Sequence, residues 1–265
     1  MTARLHPEEG EEVASQRVRE LLGISWDEQL EWSTPHIALH MWRTSIEAQG
    51  VLVFQASKVE LTEMRGTSIP QGPLPVILLN SKDAPHGKIF TLVHEFIHIL
   101  FANAGFRTST IEGTRQPEDQ VLERASNRLA AAVLMPRSEF TAEVRSQPDV
   151  LRGSDESLQH LANRIKVSPE ALLRRMLSLR MINASLYKRK RAVWQDRTWF
   201  KATSRGGPPI EIRVIASVGR PFVSMVHEGY QRNAISSSEV SDYLGIQLKY
   251  FDNVIRVLHH APSTV

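Results

Sequence analysis

The 265-residue sequence contains no cysteine. This absence excludes disulfide bonds, thiolate metal sites and cysteine nucleophiles, so any zinc site must be built from histidine and carboxylate side chains. No apolar run approaches the roughly 18 residues of a membrane-spanning helix. The acidic, polar N-terminus, MTARLHPEEGEE, does not have the pattern of a signal peptide. We therefore expect a globular, cytoplasmic protein that does not enter a membrane.

Charge is unevenly distributed along the chain, although the formal net charge is only +3. Residues 1–31 contain three arginines against eight acidic residues, whereas residues 157–197 contain ten basic residues against two acidic ones. A concentration of one sign of charge attracts partners of the opposite sign. The basic segment therefore suggests a polyanion or an acidic partner nearby.

Apolar spacing predicts an α+β fold in which a small mixed sheet packs on helices. The β-branched runs GVLVFQ (50–55) and LPVILLN (74–80) predict strands, and the second has the composition of a strand buried on both faces. RGTSIPQGP, between them, is typical of a strand edge and a turn. Helical spacing predicts helices over about residues 11–23, 35–49, 89–104 and 118–135.

We predict three units: residues 1–150, a helical segment over 151–192 and a C-terminal module over 193–265. Residues 155–182 have the outline of a helix-turn-helix, with Ser168 as N-cap and Pro169 at the first position of the second helix. YKRKR (187–191) is expected to form an exposed hinge. Strand-like IEIRVIA (210–216) among helical runs predicts that the C-terminal module is a small α+β regulatory or substrate-recognition module. Its expected core consists of Trp194, Trp199, Phe200 and Phe222.

The strongest motif is TLVHEFIHIL (91–100), in which His94 and His98 are four residues apart and Glu95 follows the first. Residues four apart share a helix face, so both imidazoles can bind one metal ion. Glu95 lies off the ligand face but close enough to deprotonate a zinc-bound water, whose pKa falls from about 15.7 to about 7. The motif therefore predicts an active-site helix with an HEXXH pattern, in which the activated water attacks a peptide carbonyl.

A structural alternative is a pair of core histidines bonded to carbonyl groups. The helix is apolar nearly all round, which is typical of a buried helix, and a metal ion would satisfy its two histidines and its glutamate together. A second pair, His36 and His40, has no following acid, and we interpret it as packing or surface histidines. His259–His260 is expected to be solvated.

A catalytic zinc usually has three protein ligands and one open position. Glu123 is the best candidate for the third ligand, because it lies on the next amphipathic helix, which must pack beside the first. Asn127, one turn further, is a candidate for holding that ligand in place, while Glu118 and Asp119 remain rivals at the helix start. We expect His86 to be a loop residue rather than a transition-state donor. Imidazole ligands favour Zn²⁺, although the spacing alone also accommodates Mn²⁺.

These residues resemble the ImmA/IrrE metallopeptidases, a group of gluzincin-like zinc proteases of bacteria and phages. The resemblance covers about residues 35–140, through GVLVF, RGTSI, PVILLN, FTLVHEFIH and ERASNRLAAAVLMP. It implies that His94, His98 and Glu123 are zinc ligands and that Glu95 is the catalytic base of a zinc metallopeptidase domain. Ile97 stands where the family usually has glycine, and its β-branched side chain is expected to narrow the cleft. Ala125–Ser126 replaces a more usual Glu-Ala pair.

The resemblance also implies a biological role. Members typically cleave a helix-turn-helix repressor, often encoded beside them, and release genes for stress response, mobile-element transfer or phage defence. The substrate loop is expected to add a strand at the edge of the small sheet. The alternatives are a non-catalytic DNA- or protein-binding regulator with a structural metal, and a toxin–antitoxin partner. Glu95 favours the peptidase, because a structural site needs no base.

The helical pair also matches what the family places after its peptidase core. Its arginines are candidates for phosphate contact, and so are the four basic residues that follow: Lys188, Arg189, Lys190 and Arg191. Side chains that read bases are scarce in LLRRMLSLR (172–180), so we favour a bracing role over operator binding. Single-stranded DNA, acting as a damage signal, is the activator that this segment permits, with Tyr187 and Trp194 available for stacking.

Overall fold

A computed structural model describes residues 3–106, 117–195 and 207–259. It contains a three-stranded sheet of β1 (Leu52–Ala56), β2 (Gly66–Ile69) and β3 (Val76–Asn80), in the order β1-β3-β2. Strand β3 is parallel to β1 and antiparallel to β2. The predicted α+β class is confirmed, and the apolar composition of β3 follows from its central place in the sheet.

Helices make up most of the remaining described residues. The first group, which ends with the helix that carries His94 and His98, is α1 (Glu11–Leu22), α2 (Trp26–Glu31), α3 (Pro35–Glu47) and α4 (Pro85–Asn103). The next group is α5 (Pro117–Leu134), α6 (Arg137–Arg145), α7 (Pro148–Arg152), α8 (Asp155–Ile165), α9 (Pro169–Ser178) and α10 (Ala184–Gln195). The last group is α11 (Ile210–Val218), α12 (Arg220–Gln231), α13 (Ser237–Leu244) and α14 (Phe251–His259). None of the described helices is long and apolar enough to cross a membrane.

Helix α4 begins one turn earlier than its apolar spacing predicts. Pro85 occupies the first turn, where its missing N–H costs no helical hydrogen bond. Asp83 lies in front of this turn, and a Cβ on Gly87 would approach its carboxylate oxygens to 2.5–2.6 Å. The prediction of a loop at His86 is therefore wrong, because His86 lies in the first turn of α4 and is buried.

The helical pair shares its core with the residues before it. One hydrophobic cluster runs from Leu5 to Met176 and includes the apolar faces of α8 and α9. The side chain of Gln29 joins these regions, because its amide donates to the carbonyls of Leu134 (3.0 Å) and Ile165 (2.9 Å). Those carbonyls lie at the ends of α5 and α8, where helices leave acceptors unpaired. The helix-turn-helix outline is confirmed, with the Ser168 hydroxyl accepting from Ala171 N–H.

The C-terminal module was predicted as α+β, and its described residues, 207–259, are helical instead. IEIRVIA lies in α11, where Ile210, Val214 and Val218 follow helical spacing, so this periodicity overrides the β-branched composition. A second cluster, from Val214 to Val254, forms the core of α11–α14, and Phe222 packs against it. Trp194 packs against the first cluster, which corrects its assignment to the C-terminal core. Trp199 and Phe200 lie outside the described residues.

YKRKR does not form a hinge. It lies inside α10, whose first turn begins with Asn183 accepting from the backbone N–H of Leu186 at 2.9 Å. An asparagine in this position is a common N-cap, and it starts the helix just before the basic residues. The four basic side chains are therefore fixed on a helix rather than on a loop.

The C-terminal module covers the outer edge of β1. Carbonyl groups of Val53 and Gln55 point away from β3 and accept hydrogen bonds from Arg43 and from Ser217 of α11, the latter at 3.4 Å. Phe54 meets Phe222 of α12 edge to face, with ring centroids 5.1 Å apart. Since β3 is central, β2 is the other edge strand of the described sheet.

Candidate metal centre and active site

Helices α4 and α5 pack together and bring His94, His98 and Glu123 to one point. The Nε2 atoms of the two histidines are 3.0 Å apart, and the Glu123 oxygens lie 3.5 Å from His94 and 3.4 Å from His98. Two ligands about 2.0–2.1 Å from a tetrahedral zinc lie roughly 3.3 Å from each other. The separation of the two Nε2 atoms is close to this value, and each Nε2 faces a different oxygen of the Glu123 carboxylate, so the group can hold one metal ion.

Asn127 orients the carboxylate of this group. Its side-chain amide donates to Oε1 of Glu123 at 3.1 Å and to the Glu123 carbonyl at 2.8 Å, one turn back along α5. The two imidazoles, His94 and then His98, lower the pKa of Glu123 well below its ordinary value. An ionised carboxylate in a fixed orientation is the form that binds a divalent cation.

The His94 ring is positioned by packing. Phe90, one turn earlier on α4, stacks against it with ring centroids 6.3 Å apart and an angle of 26° between the planes. Nδ1 of His94 is buried and has no hydrogen-bond partner among the described residues. The ring orientation therefore depends on Phe90 and on the groups at Nε2.

Glu95 lies on the same helix and faces the edge strand. The Ser68 hydroxyl on β2 donates to its carboxylate at 2.8 Å. Gly66, two residues earlier on the same face of β2, is where the strand approaches Thr91 of α4, and a Cβ there would collide with the Thr91 methyl group. Two residues of a strand advance about as far as one helical turn, so Gly66 opposes Thr91 and Ser68 opposes Glu95.

Sequence reasoning missed Ser68 as a contact of Glu95. The signal was present in GTSI, because strand alternation puts Gly66 and Ser68 on one face. Only the packing of β2 on α4 shows that this face meets the histidine helix.

A cleft of about 510 Å³ adjoins the metal-binding group without being lined by its three members. Phe90 and Asn127, which contact His94 and Glu123, form the end nearest to them. Helix α9 forms the opposite wall through residues from Ser168 to Ser178. The second helix of the helical pair, α9, therefore closes one side of the space next to the metal-binding group.

The remaining candidate residues within the described ranges do not join the metal-binding group, although His86 lines the cleft beside it. His86 is eight residues before His94, about 12 Å along α4, and burial together with Lys166 and His36 lowers its pKa. Ile97 is fully buried in the core, so the expectation that it narrows the cleft is wrong. Among the residues that the structure describes, Asp119, His36 and His40 are outside the convergent group. The side chain of Glu118 lies outside the described set. His259 is exposed, as expected.

Most basic side chains near the helical pair are already neutralised. Six of nine are ion-paired with acids or nearly inaccessible: Arg164, Lys166, Arg174, Arg175, Lys190 and Arg191. Lys190 pairs with Asp155 at 2.8 Å, and Arg175 pairs with Glu11 and Glu12. The acidic N-terminal segment is thus itself one acidic partner of the basic segment. Arg180, Lys188 and Arg189 remain exposed.

The fold and the histidine–carboxylate group together define a domain of metallopeptidase type. Compared with known protein families, residues 46–177 match the M78 peptidase family, described as the IrrE N-terminal-like domain. The chain therefore belongs to the ImmA/IrrE metallopeptidases, which confirms the resemblance. The match includes α8 and nearly all of α9, so the helical pair falls within it. No curated protein matches the chain.

Proposed function

We propose that this protein is a zinc-dependent endopeptidase of gluzincin type that cleaves a helix-turn-helix repressor. The observation that carries this proposal is the convergence of His94, His98 and Glu123 within distances that one metal ion can bridge, with Glu95 next to His94 on α4. Membership of a peptidase family supports the reaction class. Repressor cleavage, with release of stress, mobile-element or phage-defence genes in the cytoplasm, follows from the family resemblance.

The side chains present fit a zinc ion with three protein ligands and an open position, and Mn²⁺ would fit less well because two ligands are imidazoles. When bound, zinc supplies Lewis acidity for the attacking water and the scissile carbonyl. Glu95 takes a proton from that water and passes it to the leaving amine nitrogen as the C–N bond breaks. Ser68 holds the Glu95 carboxylate through its hydroxyl, and Asn127 holds Glu123.

The substrate backbone is expected to bind along β2. This strand has β3 on one side only, whereas the outer carbonyls of β1 are satisfied by Arg43 and Ser217. An extended peptide can pair with the free main-chain groups of an edge strand. Ser68 links this edge to Glu95, so a peptide bound there passes next to the proposed base.

A second candidate is a regulator without catalysis, in which the same group holds a structural metal. The carboxylate of Glu95 argues against this candidate, because a structural metal site does not need a base. This candidate includes the DNA-binding and toxin–antitoxin alternatives.

Activation by single-stranded DNA would depend mainly on Lys188 and Arg189, because Lys190 and Arg191 are engaged by acidic residues. A filter-binding assay with Lys188→Gln/Arg189→Gln tests it, and unchanged binding would exclude this segment.

The test of the proposed function mixes the zinc-loaded protein with the repressor encoded next to it. We expect two repressor fragments with the unaltered protein and none with Glu95→Gln, although that variant should still bind one zinc per chain. Glu139→Gln is the control, since it replaces an exposed glutamate on α6, away from the cleft. Fragments formed at full rate by Glu95→Gln would contradict the assignment of the base.

A further inference from the structure

The cleft beside the metal-binding group is strongly basic. Its lining contains five arginines and two glutamates, drawn from α1, α5, α9 and the segment before β2: Arg65, Arg124, Arg128, Arg174, Arg175, Glu11 and Glu170. Its volume of about 510 Å³ is that of a site for one or two side chains rather than for a folded partner. An excess of one charge in a concave site concentrates ligands of the opposite charge.

Three of these arginines have acidic partners within the protein. Arg174 pairs with Glu170 at 3.0 Å, and Arg175 is buried and paired with Glu11. Arg65 lies 3.8 Å from Asp83. The positive charge that these ion pairs do not compensate is therefore on the arginines of α5.

Arg124 and Arg128 are the two that remain. Both are exposed, and neither makes an ion pair or side-chain hydrogen bond with any residue that the structure describes. They are one turn apart on α5, on the face that also presents Asn127 to the cleft. Two adjacent guanidinium groups without partners can bind a carboxylate through paired, charge-assisted hydrogen bonds.

The position of this pair relates it to the scissile bond. Arg124 and Arg128 follow the metal-binding Glu123 by one and five residues, about 1.5 and 7.5 Å along the helix axis. An extended peptide advances about 3.3 Å per residue. A carboxylate held by these arginines therefore lies about one or two residues from a peptide bond placed at the metal.

We propose that the cleft between α5 and α9 binds an acidic side chain of the substrate, held by Arg124 and Arg128, about one or two residues from the scissile bond. The proposal rests on the proposed peptidase function and adds a class of substrate: a peptide segment with Asp or Glu near the cleaved bond. The site selects which bond of an extended segment is cleaved.

A nucleic-acid backbone fits the cleft less well. Only Arg124 and Arg128 of its five arginines lack an acidic partner among the described residues, which is too few cations for a continuous row of phosphates. Nearby basic residues outside the cleft, Lys190 and Arg191, are engaged by Asp155 and Glu170. A single carboxylate on a peptide needs only two such arginines.

The test selects peptides from a randomised 12-residue display library on the zinc-loaded, full-length Glu95→Gln protein. We expect Asp and Glu to be enriched at one position of the selected peptides. Adding Arg124→Gln and Arg128→Gln should reduce this enrichment about tenfold or more, because two charge-assisted hydrogen bonds are lost. Arg124→Lys with Arg128→Lys should retain part of it.

The matched control adds Arg145→Gln and Arg152→Gln, which remove the same charge from exposed positions of α6 and α7. This control should keep the full acidic preference, and all variants should bind one zinc. Selected peptides without an acidic preference, no selected peptides, or a preference that survives in the Arg124→Gln/Arg128→Gln variant would each overturn the proposal. So would binding of a 12-nucleotide single strand that requires these arginines while peptides show no preference.

Binding by a variant that lacks the base does not depend on turnover. A repressor that stays intact with the unaltered protein would therefore contradict the proposed function while the selection still decides the role of the arginines.

Discussion

The Ser68 hydroxyl donates a hydrogen bond to the Glu95 carboxylate at 2.8 Å, joining the edge strand of the sheet to the histidine helix. The contact exists because β2 packs directly on α4, with Gly66 opposite Thr91 one step earlier. The proposed base and the proposed substrate-binding edge are thereby fixed relative to each other.

Replacing Ser68 by alanine should lower kcat about tenfold and leave KM and zinc affinity nearly unchanged. A hydrogen bond to a charged group contributes about 1.5–3 kcal/mol, and only part of that is expected to act on the reacting carboxylate. Steady-state kinetics of repressor cleavage measures the effects on kcat and KM separately. Thr67→Ala is the control, because Thr67 points to the opposite face of β2. An equal loss in both variants would show that the edge strand, rather than the Ser68 hydroxyl, is responsible.

Gly66→Ala should destabilise the fold by about 1–3 kcal/mol, because the added methyl group meets the Thr91 side chain and lies 3.1 Å from the Leu78 carbonyl. Urea unfolding provides the measurement. Adding Thr91→Ser, which removes the opposing methyl group, should recover part of the loss. Gly207 has open space where a Cβ would lie, so Gly207→Ala should change the free energy of unfolding by less than about 0.5 kcal/mol. Equal effects at both glycines would contradict the close approach of β2 to α4.

Arg175→Met tests whether α9 braces the domain. Arg175 is buried, pairs with Glu11 and Glu12, and donates to the Met135 carbonyl at 3.0 Å. Its loss leaves these groups without their partner and should cost about 3–5 kcal/mol in the free energy of unfolding. The neighbouring, exposed Arg174→Gln should cost less than about 1 kcal/mol. Unchanged stability of Arg175→Met combined with lost DNA affinity would favour a DNA-reading role for α9.

Zinc should stabilise the folded protein. At a free concentration 100 times its Kd, the ion should add about 2.7 kcal/mol to the free energy of unfolding, because it binds the folded state. Thermal unfolding with and without zinc measures this effect. Glu123→Gln and His98→Ala should abolish most of it, whereas His36→Ala should retain it. Full zinc stabilisation of the Glu123 variant would remove that residue from the metal site.

Much of the centre could be predicted because its signals are local. Helical spacing places His94, Glu95 and His98 on one helix, and Glu123 is marked by the following amphipathic helix. Ser68 and the arginine pair were not predictable in the same way, since each meets its partners through packing between distant segments. The spacing of apolar residues within one element does not specify which strand face packs on which helix.

The C-terminal module shows the opposite failure. IEIRVIA has the composition of a strand, but Val214 is buried four residues after Ile210, as in a helix. Composition and periodicity disagreed there, and periodicity determined the structure because the apolar stripe packs against α12 and α14. The same caution applies to YKRKR, where charge density indicated a hinge although Asn183 caps a helix.

X-ray absorption at the zinc edge of the loaded protein tests the central claim most directly. We predict two imidazole nitrogens at about 2.0–2.1 Å and two oxygens at about 2.0–2.2 Å, one from Glu123 and one from solvent. In Glu123→Ala the imidazole signal should remain while the carboxylate contribution disappears. A ligand shell unchanged by Glu123→Ala, or a shell with four protein ligands in the unaltered chain, would contradict a catalytic metal site at these residues.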